Sequence, residues 1–138
     1  ALVLCSRSYA EALGLRPLAT IRGWASAGVD PVETGLAPTH ALPKALAKAG
    51  IAISDLQSVE INEAFASMAV ASTRILGLDP EIVNVNGSGC SLGHPIGCTG
   101  ARMIVTMVNE LIRTDAQWGA VAMCAAGGMG SATVIERV

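Results

Sequence analysis

Three short stretches of the sequence carry side chains whose types and settings suit chemistry. Gly93-His94-Pro95 lies within the glycine-dense run NGSGCSLGHPIGCTG at residues 86–100. Proline restricts the backbone of the residue before it, and the glycines let other backbone approach the ring. An imidazole in water titrates near ~6.5, which suits general acid–base work. For a lone loop histidine, an exposed or merely satisfied ring is the commoner case; the glycine density favours a functional one. Cys124-Ala125-Ala126-Gly127-Gly128 puts a thiol at the end of an apolar run, before two glycines. That position would meet a ligand, although a free cysteine is more often a small core hydrophobe. Asn62-Glu63-Ala64-Phe65 sits where a strand is expected to give way to a helix. On their own, Asn62 fits a helix N-cap, Glu63 fits the first helical turn, and Phe65, the only phenylalanine, fits a core.

Other chemistries are less well served. The 86–100 run follows a strand pattern and precedes a helix, as a phosphate-binding loop does. It lacks the lysine of a Walker loop. Leu92 also stands where Gly-x-Gly-x-x-Gly, begun at Gly87 and Gly89, needs its third glycine. The glycines more simply permit tight turns and close backbone approach. Cys90 mimics a nucleophile on a glycine turn, but two small neighbours do not activate a thiol. It reads as a packed small residue, and Cys5 and Cys98 as structural. The four cysteines form no Cys-x-x-Cys pair, and His40 and His94 stand far apart. No metal site is expected from such spacing, and a reduced intracellular setting is.

The elements that must position these residues follow from the hydrophobic pattern. Ala1–Ser6 reads as a strand and Ser8 as the cap of a short helix ended by Gly14, with Pro17 beyond. Leu18–Ala27 reads as a second strand and Gly28–Pro38 as a loop. Leu42, Ala45, Leu46 and Ala49 fall at helical spacing, with Pro43 in the first turn and Gly50 as the stop. Ser58–Ile61 reads as a strand, Glu63–Leu76 as a helix with Phe65, Met68, Ala69, Ser72 and Leu76 along one stripe, and Glu81–Val85 as a short strand. Thr99–Arg113 is the clearest helix, with Ala101, Ile104, Val105, Val108, Leu111 and Ile112 on one face. Trp118–Ala125 is continuously apolar, as a buried strand is, and Ala132–Arg137 reads as the last strand. Alternating strands and helices predict an α/β fold with a mostly parallel sheet and an antiparallel last pair. Ligands in such sheets gather where strands end and helices begin. Asn62-Glu63, the loop around His94, and Cys124 all fall at such ends.

Composition bounds the rest. The 138 residues are 51% apolar and only 14% charged, which excludes disorder and suits one domain with a real core. A net charge of −2 and 3% aromatic residues exclude a nucleic-acid surface. No apolar run approaches the ~18 residues of a membrane span, and no secretory signal opens the chain. The low charge predicts that another domain or subunit covers part of the surface. The strand-like start without Met predicts a processed product or a fragment of a longer protein.

In combination the motifs are specific. Asn62-Glu63-Ala64-Phe65-Ala66, Asn84-Val85-Asn86-Gly87, Gly93-His94-Pro95-Ile96-Gly97 with Gly100-Ala101-Arg102, and Cys124-x-x-Gly127-Gly128 occur in this order. So arranged, the chain resembles the C-terminal domain of thiolases, acetyl-CoA C-acyltransferases, over nearly its whole length. The resemblance also takes in Trp24, Gly28-Val29-Asp30-Pro31 and the proline-containing helix that follows. It implies a βαβαβαββ fold, with a five-stranded mixed sheet and helices on both faces, as one domain over residues 1–138. It also implies an N-terminal half, bearing a nucleophilic cysteine, that residues 1–138 do not contain.

The resemblance implies Claisen condensation of acetyl-CoA, or thiolytic cleavage of 3-ketoacyl-CoA, in fatty acid metabolism. It implies coenzyme A and acyl-CoA as substrates, no cofactor, a homo-oligomer and, with no targeting signal, a cytoplasmic enzyme. By motif position, His94 would activate the nucleophile and help form an oxyanion hole for the enolate. Asn62 would hold the water that completes this hole. Cys124 would be the acid–base thiol at the α-carbon, and the Ala126 N–H would donate to a second oxyanion hole. Phe65 would pack near the pantetheine arm, and Gly127 would belong to the substrate-binding turn. Ala126 departs from the family's three glycines and would be strained at positive φ. Ser88-Gly89-Cys90 is a second departure. A non-catalytic acyl-CoA or lipid-binding module of the same fold, or an interaction module, is the main alternative. A nucleotide-binding α/β domain is the weaker one.

Overall fold

The computed structural model describes all residues, Ala1–Val138. Its centre is the apolar strand β3 (Trp118–Ala125), followed after a tight turn by β4 (Met129–Arg137). β4 pairs antiparallel with both β3 and β1 (Ala19–Gly28), and β2 (Ser58–Ile61) pairs parallel with β3. The sheet order is β1-β4-β3-β2. Side chains alternate across β3 and β4, so Ala120, Ala122, Ala132 and Val134 face one layer while Val121 and Ile135 face the other.

Helices cover both faces. On the first lies α2 (Ala37–Ala49), with Ala41, Leu42, Ala45 and Leu46 in the core, next to α3 (Ala66–Leu76), which contributes Ala69. The helix α2 approaches closely because a Cβ on Gly23 of β1 would strike the Ala45 carbonyl, and one on Gly130 of β4 would strike Ala37. On the second face lies α5 (Thr99–Thr114), packing Met103, Met107 and Leu111 on Val121 and Ile135. Short helices α1 (Arg7–Ala12) and α4 (Gly89–Leu92) complete the chain.

Several sequence expectations shift. The sheet has four strands, not five. Val83 makes only an isolated parallel bridge to Val59, after the 3-10 turn Pro80–Ile82. The Asn84 side chain then takes over the pairing: its Oδ1 accepts from the Ile61 N–H at 2.8 Å and its Nδ2 donates to the Ile61 carbonyl at 3.0 Å. With these groups occupied, the strand edge offers nothing for a longer partner. Ala1–Ser6 finds no strand to pair with and is not regular structure. Ser6, not Ser8, caps α1, accepting from the Tyr9 N–H at 3.2 Å. Helix α2 starts at Ala37 and carries Pro43 inside it, where burial of Leu42 and Leu46 outweighs the lost hydrogen bond. Helix α3 starts at Ala66, so Asn62 is no cap and Glu63 is not in the helix. The buried face of α5 runs through Met103, Met107, Glu110 and Leu111; Ile104 and Val108 only flank it and Ile112 is exposed. No helix is long and apolar enough to cross a membrane.

Candidate active site

The parallel strands β2 and β3 point their C-terminal ends the same way, and the candidate residues gather there. The Asn62 N–H donates to the Ala122 carbonyl at 2.9 Å, so Asn62 leaves β2 alongside the last residues of β3, where Cys124 sits opposite Gly130. Asn62 is fully buried. Its Nδ2 lies 3.5 Å from His94 Nε2, across 32 residues of sequence. Its Oδ1 is buried and accepts no hydrogen bond from the protein. Leaving such a carbonyl unpaired costs about 1–3 kcal/mol unless a guest donates to it.

His94 arrives on the glycine loop. Gly93 before it adopts φ +98, which a side chain would strain, and the ring is half-buried. Its Nδ1 lies 2.6 Å from Thr99 Oγ1. The loop itself is clamped by Glu63. Glu63 Oε2 accepts from the Cys90 N–H at 3.0 Å, and Oε1 accepts from Asn84 Nδ2 at 3.3 Å. Gly89 is needed there, because its Cβ would lie 2.6 Å from the Glu63 carbonyl oxygen and 3.1 Å from Asn62 Oδ1. Close backbone approach is thus the use of this glycine.

Cys124 is half-buried, and burial pushes its thiol pKa up. The thiol therefore stays protonated at neutral pH. Ala126 lies in the exposed turn between β3 and β4. The only non-glycine residues at positive φ are Asn84 and Asp115, so Ala126 replaces glycine without left-handed strain. Gly127 and Gly128 carry the positive φ of the turn, at +78 and +82. Gly128 is also pinned: its N–H donates to Thr34 Oγ1 at 2.8 Å, and a Cβ there would strike the Val29 carbonyl. The segment Gly28–Pro31 thereby buttresses the turn that holds Ala126.

Phe65 is 70% exposed on the rim rather than in the core. Cys90 is exposed too, not packed, as are Cys5 and Cys98. Asn62 and His94 are in contact. Cys124 reaches the same sheet edge on the neighbouring strand, and no hydrogen bond links it to either.

Two groups escaped the sequence reading. One is Thr99, five residues after His94, whose only sequence signal is a hydroxyl at the start of the following helix. The other is a buried charge cluster beneath the loop. Glu60 Oε1 accepts from Arg102 Nη1 and from Ser88 Oγ, the latter at 3.1 Å. Burial raises the Glu60 pKa, while Arg102 and Ser88 pull it back down. The Glu60 side chain is 4% exposed and that of Arg102 20%, so the pair is screened little. Removing one partner of a buried pair strands the other, at about 3–5 kcal/mol. Arg102→Leu is expected to destabilise the protein by that order at neutral pH, read by urea unfolding. Without Arg102 the folded-state pKa of Glu60 rises further above its unfolded value. Stability tied to Glu60 is then full below the unfolded pKa and lost as pH rises through the folded one. The gap between Arg102→Leu and wild type should therefore narrow toward acid pH; a gap constant with pH would assign the loss to packing.

Known proteins are similar to this chain in sequence and fold. Residues 15–137 match the family model described as Thiolase, C-terminal domain. Acetyl-CoA acetyltransferase of Schizosaccharomyces pombe is 51% identical over 138 residues, covering 100% of this chain and 35% of that protein. 3-Ketoacyl-CoA thiolase of Bacillus subtilis is 47% identical over 136 residues, covering 99% of this chain and 35% of that protein. The crystal structure of the Bacillus anthracis acetyl-CoA acetyltransferase superposes with a TM-score of 0.93 at 47% identity, over 96% of this chain and 34% of that one. The chain thus spans about a third of the length of the relatives it matches. With the fold, the motif order and the match over 15–137 in agreement, the chain belongs to the thiolase family and forms its C-terminal domain.

Proposed function

We propose that this chain supplies the C-terminal half of a thiolase active site, transferring acyl groups between coenzyme A thioesters. The observation that carries this reading is the contact of buried Asn62 with His94 Nε2 beside the C-terminal end of β3, which carries Cys124. An amide meets an imidazole there, with a thiol on the neighbouring strand, at the kind of strand end where an α/β sheet binds ligands.

In the thiolytic direction the nucleophilic thiol of the other half adds to C3 of a 3-ketoacyl-CoA. His94 takes the thiol proton. The C2–C3 bond then breaks, its electrons forming the enolate of acetyl-CoA, and the Cys124 thiol delivers a proton to C2. The acyl group, held as a thioester, leaves on an incoming coenzyme A thiol, whose proton restores Cys124 while His94 returns its own to the departing nucleophile. Condensation runs the same steps backward, with Cys124 removing the α-proton. The enolate oxygen would be held by His94 and by a water bound to Asn62, whose buried Oδ1 lacks a protein donor. Fixed donors of this kind are worth roughly 100–1,000-fold each. The Ala126 N–H, on an unstrained exposed turn, would donate to the carbonyl oxygen of the acyl intermediate. Exposed Phe65 and the Gly127 turn would contact the pantetheine arm.

In this reading the nucleophile comes from an N-terminal half that docks on this chain. Val3, Leu4, Trp24, Val32, Phe65 and Ile96 are all exposed, as expected of a chain that docks on an N-terminal half and assembles further as a homo-oligomer. The 3-ketoacyl-CoA thiolase among the relatives favours a place in β-oxidation, and the four free cysteines favour the cytoplasm. The test is thiolysis of acetoacetyl-CoA by residues 1–138 alone and by the complete polypeptide that contains them. The complete protein should turn over and the isolated chain should not. Turnover by the pure chain would overturn the division of labour, and inactivity of both would overturn the enzymatic reading.

A further inference from the structure

His94 has two ring nitrogens, and only one can act as a base in the neutral ring. The structure indicates which one. Nδ1 lies 2.6 Å from Thr99 Oγ1, and Thr99 Oγ1 donates to the Pro95 carbonyl at 3.0 Å. A carbonyl oxygen can only accept, so the single hydroxyl proton of Thr99 is committed to Pro95. What Thr99 Oγ1 then offers Nδ1 is a lone pair. Nδ1 must carry the proton, and Nε2 is left with its lone pair facing the Asn62 amide donor at 3.5 Å. Thr99 is 1% exposed, at the first position of α5, so neither hydroxyl partner is exchanged for bulk water. The Pro95 carbonyl is itself fixed by the Cys98 N–H at 2.7 Å.

We propose that Thr99 is a positioning residue: its hydroxyl, tethered to the Pro95 carbonyl, holds His94 as the Nδ1–H tautomer and leaves Nε2 as the free base beside Asn62. Its effect on turnover rests on the reading of His94 as the base of a thiolase; the tautomer does not. A histidine in the wrong tautomer presents an N–H where a lone pair is required, and its geometry alone cannot rescue catalysis. The rule resembles that for histidines elsewhere, where the partner of the second nitrogen fixes the first.

The test uses the complete enzyme labelled with 15N at histidine, as wild type, Thr99→Val and Thr99→Ser, with His94→Gln to assign the resonance. In wild type the His94 nitrogen shifts should report a protonated Nδ1 and a bare Nε2. Thr99→Val keeps the shape and removes the acceptor. It should shift the ring toward the other tautomer and lower kcat for thiolysis by about 10–100-fold, with little change in KM. Thr99→Ser should restore both. A wild-type ring protonated at Nε2 overturns the proposal, whether or not the valine variant folds. So does a Thr99→Val enzyme with an unchanged tautomer, or with a changed tautomer and kcat within roughly twofold of wild type. If the wild-type enzyme shows no thiolysis, the functional reading fails while the nitrogen shifts still decide the role of Thr99.

Discussion

His94→Ala in the complete enzyme is expected to lower kcat by roughly 100–10,000-fold, the span of a general base, while the protein still folds. The expectation of folding has a structural basis. The ring is half-buried on a loop and makes side-chain hydrogen bonds only to Asn62 and Thr99. It belongs to neither core cluster. The loss should fall on a particular step. A base at Nε2 is needed to deprotonate the nucleophilic thiol, so the transfer of an acetyl group from acetyl-CoA onto the enzyme should slow in a single turnover. Rapid quenching with radiolabelled acetyl-CoA reads that step directly. Near wild-type acylation with unchanged kcat would remove His94 from the mechanism. Asn62 makes a useful contrast, since it is fully buried and its loss would disturb the end of β2 as well.

The sequence made some of this legible and hid the rest for identifiable reasons. Trp118–Ala125 could be bounded to the residue because a strand buried on both faces reads as a continuous apolar run. The stops at Gly50 and Gly77 could be read because both adopt the left-handed conformation that glycine takes cheaply. The start of α2 could not, because Pro38 and Pro43 read as breakers while the packing that overrides them is tertiary. The same holds for the buried face of α5. Its sequence offers an aliphatic stripe and a methionine stripe, and only the shape of the sheet selects Met103 and Met107. The fifth strand failed because a side chain, Asn84, can imitate backbone pairing. At the candidate site, motif order singled out Asn62, His94 and Cys124. It did not reveal that Glu63 clamps the loop, or that Thr99 meets Nδ1. Both depend on which way a side chain turns on a glycine-rich backbone, and spacing does not encode that.

Cys124→Ala should separate proton transfer at carbon from acyl transfer at sulfur. Carbon acids need a base placed at the α-carbon, and in this reading no other side chain at the end of β3 supplies one. Exchange of the acetyl-CoA methyl protons with deuterated solvent should fall by roughly 100–10,000-fold. Acylation of the nucleophile, which calls on His94, should continue. That pattern is the reverse of His94→Ala, and a Cys124→Ala enzyme that still exchanges would exclude the thiol. The pH dependence gives a second check. Burial raises the Cys124 pKa, so at neutral pH the group is overwhelmingly the thiol. Thiolysis needs that thiol as an acid, and condensation needs the thiolate as a base. As pH rises toward the raised pKa the thiolate fraction grows tenfold per unit, so the exchange and condensation rates should climb with it. Thiolysis should stay level over the same range and decline only once the thiol is lost. An exchange rate that stays level over this range would mean that a different group carries the proton.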